Sequence, residues 1–129
     1  MPRSLEGFVA QLVDLLRERD LGERAIIQSK CREVLAEARK QAPELERSLV
    51  ARIANASPWV ADGTVTIVSR KQAYLKSSEV ETLQRQGVRV IPWTVNEPKA
   101  IQKLRDWGVD GIITDYPDRA LAILNKKGP

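Results

Sequence analysis

Two stretches of this chain repeat one pattern: Leu83-Gln84-Arg85-Gln86-Gly87-Val88 and Leu104-Arg105-Asp106-Trp107-Gly108-Val109. In each, an amphipathic run stops at a glycine and passes directly into a β-prone run. A helix ended by a left-handed residue and followed by a strand has this form. The first helix is expected to open near Ser78 and Glu81, spaced as a capping box, and to run through Val80 and Leu83. A strand then covers Val88 to Val95, with Pro92 inside it. Glu97, Pro98 and Lys99 start the next helix, which contains Ile101, Leu104 and Trp107; Val109 to Thr114 is the last strand, and Asp118 to Asn125 a closing helix. Strands that alternate with helices at this spacing are the βα units of a parallel sheet.

The upstream part carries the same alternation less regularly. Ser4 caps a helix reaching Leu21, with Phe8, Val9, Leu12, Val13, Leu15 and Leu16 on one broad face and Gly22 as its C-terminal cap. Ala25 to Ser29 reads as a buried strand. Cys31 to Gln41 reads as a helix with Val34, Leu35 and Ala38 inward, ended by Pro43. Ser48 to Ile53 is a second strand. Asn55 to Gly63, with Pro58, Trp59 and Gly63, reads as a loop, and Thr64 to Ser69 is again β-prone. An open doubly wound sheet would suit the alternation, but no glycine-rich phosphate loop follows any strand. A partial (β/α)8 TIM barrel fits better. A complete barrel takes about 250 residues, so the 129 residues present, read as one domain, amount to roughly half of one.

The 43% hydrophobic residues suffice for a packed core, and no apolar run is long enough for a bilayer. In the first helix, Glu6, Gln11 and Asp14 recur at helical spacing, which argues against a signal peptide. One cysteine, Cys31, permits no intrachain disulfide and suits a reducing cytoplasm. The net charge of +4 comes from charges scattered over helical faces rather than from a basic block, so no nucleic-acid partner is expected. There is no histidine. That removes the side chain most often used for proton transfer near neutrality and a common metal ligand.

In α/β barrels the working residues sit where strands end and loops begin. That rule selects Ser29 and Lys30, Trp93 to Asn96, and Thr114 to Asp118. Trp93 is a pocket wall or a core residue. Asp115 reads as a cap of the turn Tyr116-Pro117-Asp118 rather than a ligand group, and Asp118 as a helix N-cap. Lys30 could attract a phosphate or remain a solvated loop residue. Cys31 opens a helix but has no histidine partner. Glu44 and Glu46 have no metal-ligand spacing, and no metal site is evident.

Trp93-Thr94-Val95-Asn96, a dozen residues of helix, and then Gly108-Val109-Asp110-Gly111-Ile112-Ile113-Thr114-Asp115-Tyr116-Pro117-Asp118 resemble the last two βα units of the glycerophosphodiester phosphodiesterase family. Ala25 to Ser29 is similar to the family's middle strand, and Phe8 to Asp20 to the helix before it; Ala54 to Tyr74 matches poorly. The resemblance implies the C-terminal half of a TIM barrel that hydrolyses glycerophosphodiesters to glycerol 3-phosphate and an alcohol. It also implies that the two acid–base histidines, and the carboxylates holding a divalent cation such as calcium or magnesium, belong to the other half. Here no catalytic residue, metal ligand or cofactor is expected. Trp93 is implied to line the pocket near the glycerol part of the substrate. Lys30 and Cys31 replace the family's phenylalanine and acid after the strand serine. The chain is therefore expected to be a truncated or split piece, inactive alone and binding substrate only if the complementing half is supplied. The alternative is a non-catalytic half-barrel that forms homo-oligomers or binds another protein.

Overall fold

The computed structural model describes residues 4–125. The N-terminal helix α1 (Leu5–Glu18) starts as its sequence dictates: Gly7 N donates to Ser4 Oγ at 3.0 Å. Its buried face is narrower than the apolar pattern suggests. Val9 and Val13 are buried, while Phe8 and Leu15 are 54% and 48% exposed. The helix also ends sooner, and the left-handed residue after it is Asp20 (φ 53°), so Gly22 is not the cap but opens a short 3-10 turn, Gly22–Arg24.

The chain divides into two compact units, residues 1–67 and 68–129. In the first, β1 (Ile26–Ser29) pairs in parallel with β2 (Glu46–Val50), with Ile26 opposite Glu46 and Ser29 opposite Leu49. Helix α2 (Arg32–Gln41) connects them and buries Leu35 and Ala38, at i and i+3, as its pattern requires. The strand expected at Ser48 to Ile53 thus begins two residues earlier and stops at Val50.

Helix α3 (Ile53–Ala61) replaces the loop expected from Asn55 to Gly63. Pro58 removes one intrahelical donor, which normally argues against a helix. However, Ala56 and Val60 are both buried on one face, and that packing outweighs the missing bond. Gly63, in the left-handed region at φ +85°, then turns the chain, and Arg39 Nη1 donates to Asp62 O at 2.8 Å.

A buried guanidinium fixes the base of this unit. Arg47, 5% exposed, donates from Nε to Thr64 O (2.8 Å), from Nη1 to Pro43 O (3.0 Å) and Leu45 O (2.7 Å), and from Nη2 to Gly63 O (3.3 Å). Its fork thus satisfies carbonyls from the turn before β2 and from the turn after α3.

In the second unit, β3 (Ile67–Ser69, starting one residue before it) is followed by α4 (Ser77–Arg85), β4 (Arg89–Val90), α5 (Pro98–Asp106) and α6 (Pro117–Leu124). The strands take the order β1-β2-β3-β4. Lys76 rather than Ser78 precedes α4, and Lys76 N donates to Glu79 Oε1 at 2.9 Å, so the capping carboxylate is Glu79 and not Glu81. Gly87 and Gly108 take φ +81° and +76° after α4 and α5, the conformation the repeated motif requires.

The two expected long strands are much shorter than their sequences suggest. Only Arg89–Val90 of the Val88 to Val95 run is regular strand, because Pro92 has no N–H for the ladder. Pairing nevertheless continues past it: Ile91 N donates to Val68 O (3.1 Å), Trp93 N to Arg70 O (3.1 Å) and Gln72 N to Trp93 O (2.6 Å). Val109 to Thr114 contains no regular strand. It runs alongside the same segment through Asp110 N to Val90 O (2.9 Å), Ile113 N to Pro92 O (2.9 Å) and Val95 N to Ile113 O (2.8 Å), bonds too irregular for a ladder. Val80, Leu83, Val90, Val95, Ile101, Leu104 and Ala120 form the core of this unit. No helix among the described residues is long and apolar enough to cross a membrane.

Arg47→Lys keeps the charge but loses the fork, and its three donors leave at least one of the four carbonyls unsatisfied. Chemical denaturation should show a loss of about 2–4 kcal/mol.

Candidate functional site

In the second unit the loop that follows β4 is tied to the loop before α6 by the side chain of Asn96. Asn96 Oδ1 accepts from Asp115 N at 3.0 Å and from Thr114 Oγ1 at 3.1 Å, while Asn96 Nδ2 donates to Asp115 Oδ2 at 2.9 Å. An amide is suited to this because it offers donor and acceptor side by side. Arg119 Nη1 adds a bond to Asn96 O at 3.0 Å, and its guanidinium stacks on Tyr116, 4.3 Å from the ring centroid. The Asn96 and Asp115 positions of the two sequence motifs are therefore hydrogen-bond partners.

This corrects the reading of Asp115 as the cap of its own turn. The turn is closed by Thr114, whose Oγ1 accepts from Tyr116 N at 3.1 Å. Asp118 is not an N-cap either: Tyr116 holds that position, Pro117 is the first helical residue, and Asp118 lies in the first turn, where its carboxylate complements the helix dipole.

Trp93 stands on the segment that Asn96 anchors. Its backbone bonds to the residues after β3, in an isolated parallel bridge with Lys71. By register, Trp93 and Lys71 share one face of the sheet. Trp93 Nε1 is buried and has no protein acceptor, as is Arg70 Nε. A buried donor left unpaired costs about 1–3 kcal/mol, so both are exceptions that need a reason. Arg70 and Lys71 lie 5.1 and 5.6 Å from the centroid of the Tyr74 ring, which is exposed. Neither cation was selected from the sequence. The strand-end rule, applied after Ser69, would have found both.

In the first unit the C-terminal ends of β1 and β2 border an open hollow of about 410 Å³. Its lining includes Lys30, Cys31 and Arg32 after β1, Leu49 and Ala51 from the end of β2, and Asn55 and Trp59 of α3. The Arg32 guanidinium stacks on Trp59, 4.2 Å from the ring centroid, and its Nε lies 2.9 Å from Glu33 Oε1. Trp59 was missed as a site residue because Pro58 made its segment read as a loop. A depression of about 690 Å³ lies between Glu97 and Lys103; one helix and its N-cap line it, and it gathers no groups from a second element.

Cys31 occupies the N-cap position of α2, as expected, but acts locally. Its Sγ lies 3.1 Å from Glu33 Oε2, its N donates to Ser29 Oγ at 2.9 Å, and it is the only cysteine. The thiol and then Arg32 hold the Glu33 carboxyl down from an ordinary 4.5 to about 2. Because the folded value is the lower one, what this gives to stability is complete above about pH 4.5 and fades as pH falls towards 2. Glu33 is solvated, so the effect on stability is small. Glu44 pairs with Arg17 at 3.0 Å on the surface of the same unit. Among the described residues no group of three His, Cys, Asp or Glu side chains is placed to hold a metal ion. The residues here therefore do not fit the divalent cation that the sequence resemblance implies.

An α/β chain of parallel strands with polar groups collected at the strand ends is the class defined so far. The sequence pattern of the Glycerophosphoryl diester phosphodiesterase family matches residues 3–119, and the chain belongs to that family. A glycerophosphodiester phosphodiesterase of Caldanaerobacter subterraneus subsp. tengcongensis is 30% identical over 124 residues, covering 95% of this chain and 51% of that protein. A protein of Silicibacter pomeroyi DSS-3 assigned to the glycerophosphoryl diester phosphodiesterases superposes with a TM-score of 0.83 at 28% identity, over 93% of this chain and 44% of its own. An Oleispira antarctica phosphodiesterase, solved with the product sn-glycerol-3-phosphate, shares the fold at a TM-score of 0.82 and 22% identity, over 95% and 51%. The chain thus spans about half the length of the relatives it matches.

Asn96→Asp should place two carboxylates about 3 Å apart at the clasp. Denaturation at pH 7 should show a loss of about 1–3 kcal/mol, partly recovered as pH falls towards about 4, because one carboxyl of the pair takes up a proton above the ordinary aspartate range.

Proposed function

We propose that this chain is the C-terminal half of a glycerophosphodiester phosphodiesterase domain, acting in glycerol and lipid metabolism, and that it supplies binding surface rather than catalytic groups. The observation that carries this reading is Trp93. It stands at a strand end, on a loop anchored by the Asn96 clasp, with an indole N–H that no protein acceptor satisfies. The ring itself is only half-buried, so a small rotation would present that donor to a hydroxyl or phosphate oxygen of a glycerophosphodiester and give it a partner. The product bound to the Oleispira antarctica phosphodiesterase, sn-glycerol-3-phosphate, carries both hydroxyl and phosphate oxygens.

With no histidine in 129 residues and no carboxylate cluster for a metal among the described ones, no proton-transfer pair or hydrolytic step is assigned here. The reading places those groups in the first half of the barrel, so the chain alone is inert. The single cysteine and the lack of any disulfide suit a reducing, cytoplasmic setting. A second reading, a non-catalytic module that pairs with itself or with another protein, is favoured by β1. This strand stands at the edge of the sheet and exposes Ile26.

The test is to mix the purified chain with the N-terminal half of the Caldanaerobacter relative, with magnesium or calcium and a glycerophosphodiester, and to measure release of glycerol 3-phosphate. The chain alone should release none. The mixture should release it in a metal-dependent manner, and Trp93→Ala should reduce the rate about tenfold or more. Hydrolysis by the chain alone, or no hydrolysis by a folded stoichiometric mixture, contradicts the proposal.

A further inference from the structure

We propose that the open face of α1 is a docking surface for one amphipathic helix of the complementing half of the domain. Assigning that helix to the other half rests on the proposed function; the open apolar stripe does not. Leu5, Phe8, Leu12 and Leu15 follow one another at intervals of three, four and three residues, which sets them in a single stripe along the helix. Leu5 is 41%, Phe8 54% and Leu15 48% exposed, and Leu12 between them is half-buried. One exposed leucine needs no explanation, but a continuous apolar stripe over about three turns marks a contact.

The other sides of α1 are already taken. Val9 and Val13 are buried. On the flank of Glu6 and Arg17, Gln41 Nε2 donates to Glu6 O at 3.0 Å, and Arg17 Nη2 donates to Gln41 O at 3.3 Å and to Glu44 Oε1 at 3.0 Å. The end of α2 and the turn after it therefore hold that flank. At about 100° per residue, the two valines lie between that flank and the stripe. Helices that cover one face of a parallel sheet pack side by side. With α2 on one side of α1, the other side belongs to the helix that accompanies the next strand. Strand β1 is the edge of the sheet, and no such strand is among the described residues. The chain spans about half the length of the relatives it matches, and the remainder of such a domain would supply both.

Charge and area separate this occupant from two others. The helix carries Glu6, Asp14 and Glu18 against one cation, Arg17, which Glu44 already holds. A helix that lies on anionic lipid has lysines and arginines along its polar face, so this stripe suits a protein surface. A second copy that paired through α1 alone would bury four side chains from each chain, far short of the ~800 Å² a side of a standard interface. The complementing half covers the same stripe and pairs with β1 as well.

The experiment is calorimetric titration of the full chain into the N-terminal half of the Caldanaerobacter relative, over a range of temperatures. Association should show a negative heat-capacity change, the mark of apolar burial. Phe8→Asp should weaken it about tenfold or more, and Leu15→Lys, at the other end of the stripe, should act in the same direction. Phe8→Leu keeps an apolar side chain and should stay within about threefold of the unaltered chain. Because Phe8 and Leu15 are exposed, the helical circular dichroism of the chain alone should not change in any of the three. Equal affinity of the unaltered chain and of both charged variants overturns the docking surface and leaves the proposed function standing, since the halves then join elsewhere. No association between the unaltered chain and a folded N-terminal half overturns both. Sedimentation of the chain alone gives the remaining outcome: a dimer that Phe8→Asp dissolves assigns the stripe to a second copy and overturns the proposal.

Discussion

Parallel strands cannot be joined by a tight turn. Every return to the same end of the sheet needs a crossover, and in this chain the crossovers are helices. That constraint governs both units: each βα step ends its strand on one side and starts its next helix there. Polar loop residues with no common sequence motif are thereby gathered at strand ends. Lys30 and Arg32 follow β1, Arg70 and Lys71 follow β3, and Asn96 comes after β4 beside Trp93. The opposite ends of the strands carry structural work. Arg47 spans the turn before β2 and the turn after α3 there, with four carbonyl partners and no role in the hollow.

How much of this was legible in the sequence depends on how local each determinant is. Ser4, Gly87 and Gly108 act through their own turns, and the structure places them as read. The α2 pattern of Leu35 and Ala38 was equally plain. The segment from Ile53 to Ala61 was misread because Pro58 is a strong local signal, whereas the burial of Ala56 and Val60 that overrides it is tertiary. The Val109 to Thr114 run has strand composition but finds partners on one side only, at irregular intervals. For the candidate site, the strand-end rule selected Trp93, Asn96, Thr114 and Lys30. It could not show that Asp115 turns to Asn96 rather than to its own turn, since that bond joins residues nineteen positions apart. Arg32 and Trp59 also escaped it, because their stacking depends on a helix the sequence did not announce.

The two loop regions differ in chemistry. Around Trp93 the structure is fixed by hydrogen bonds centred on the neutral Asn96 amide, and it leaves a buried donor unspent. Around Trp59 it is held by charge, with Glu33 kept ionised to about pH 2 beside Arg32 and the thiol. Both regions lie in a chain that spans about half the length of the relatives it matches.

The central claim is that the sheet is completed by the other half of the same domain. The side of β1 that no strand among the described residues covers is where that half would join. Hydrogen–deuterium exchange of Ile26 to Ser29, with and without the N-terminal half of a relative, tests it most directly. The account predicts that exchange in this strand slows by about tenfold or more in the mixture. Unchanged exchange at β1, in a mixture where both halves are folded and soluble, would contradict it.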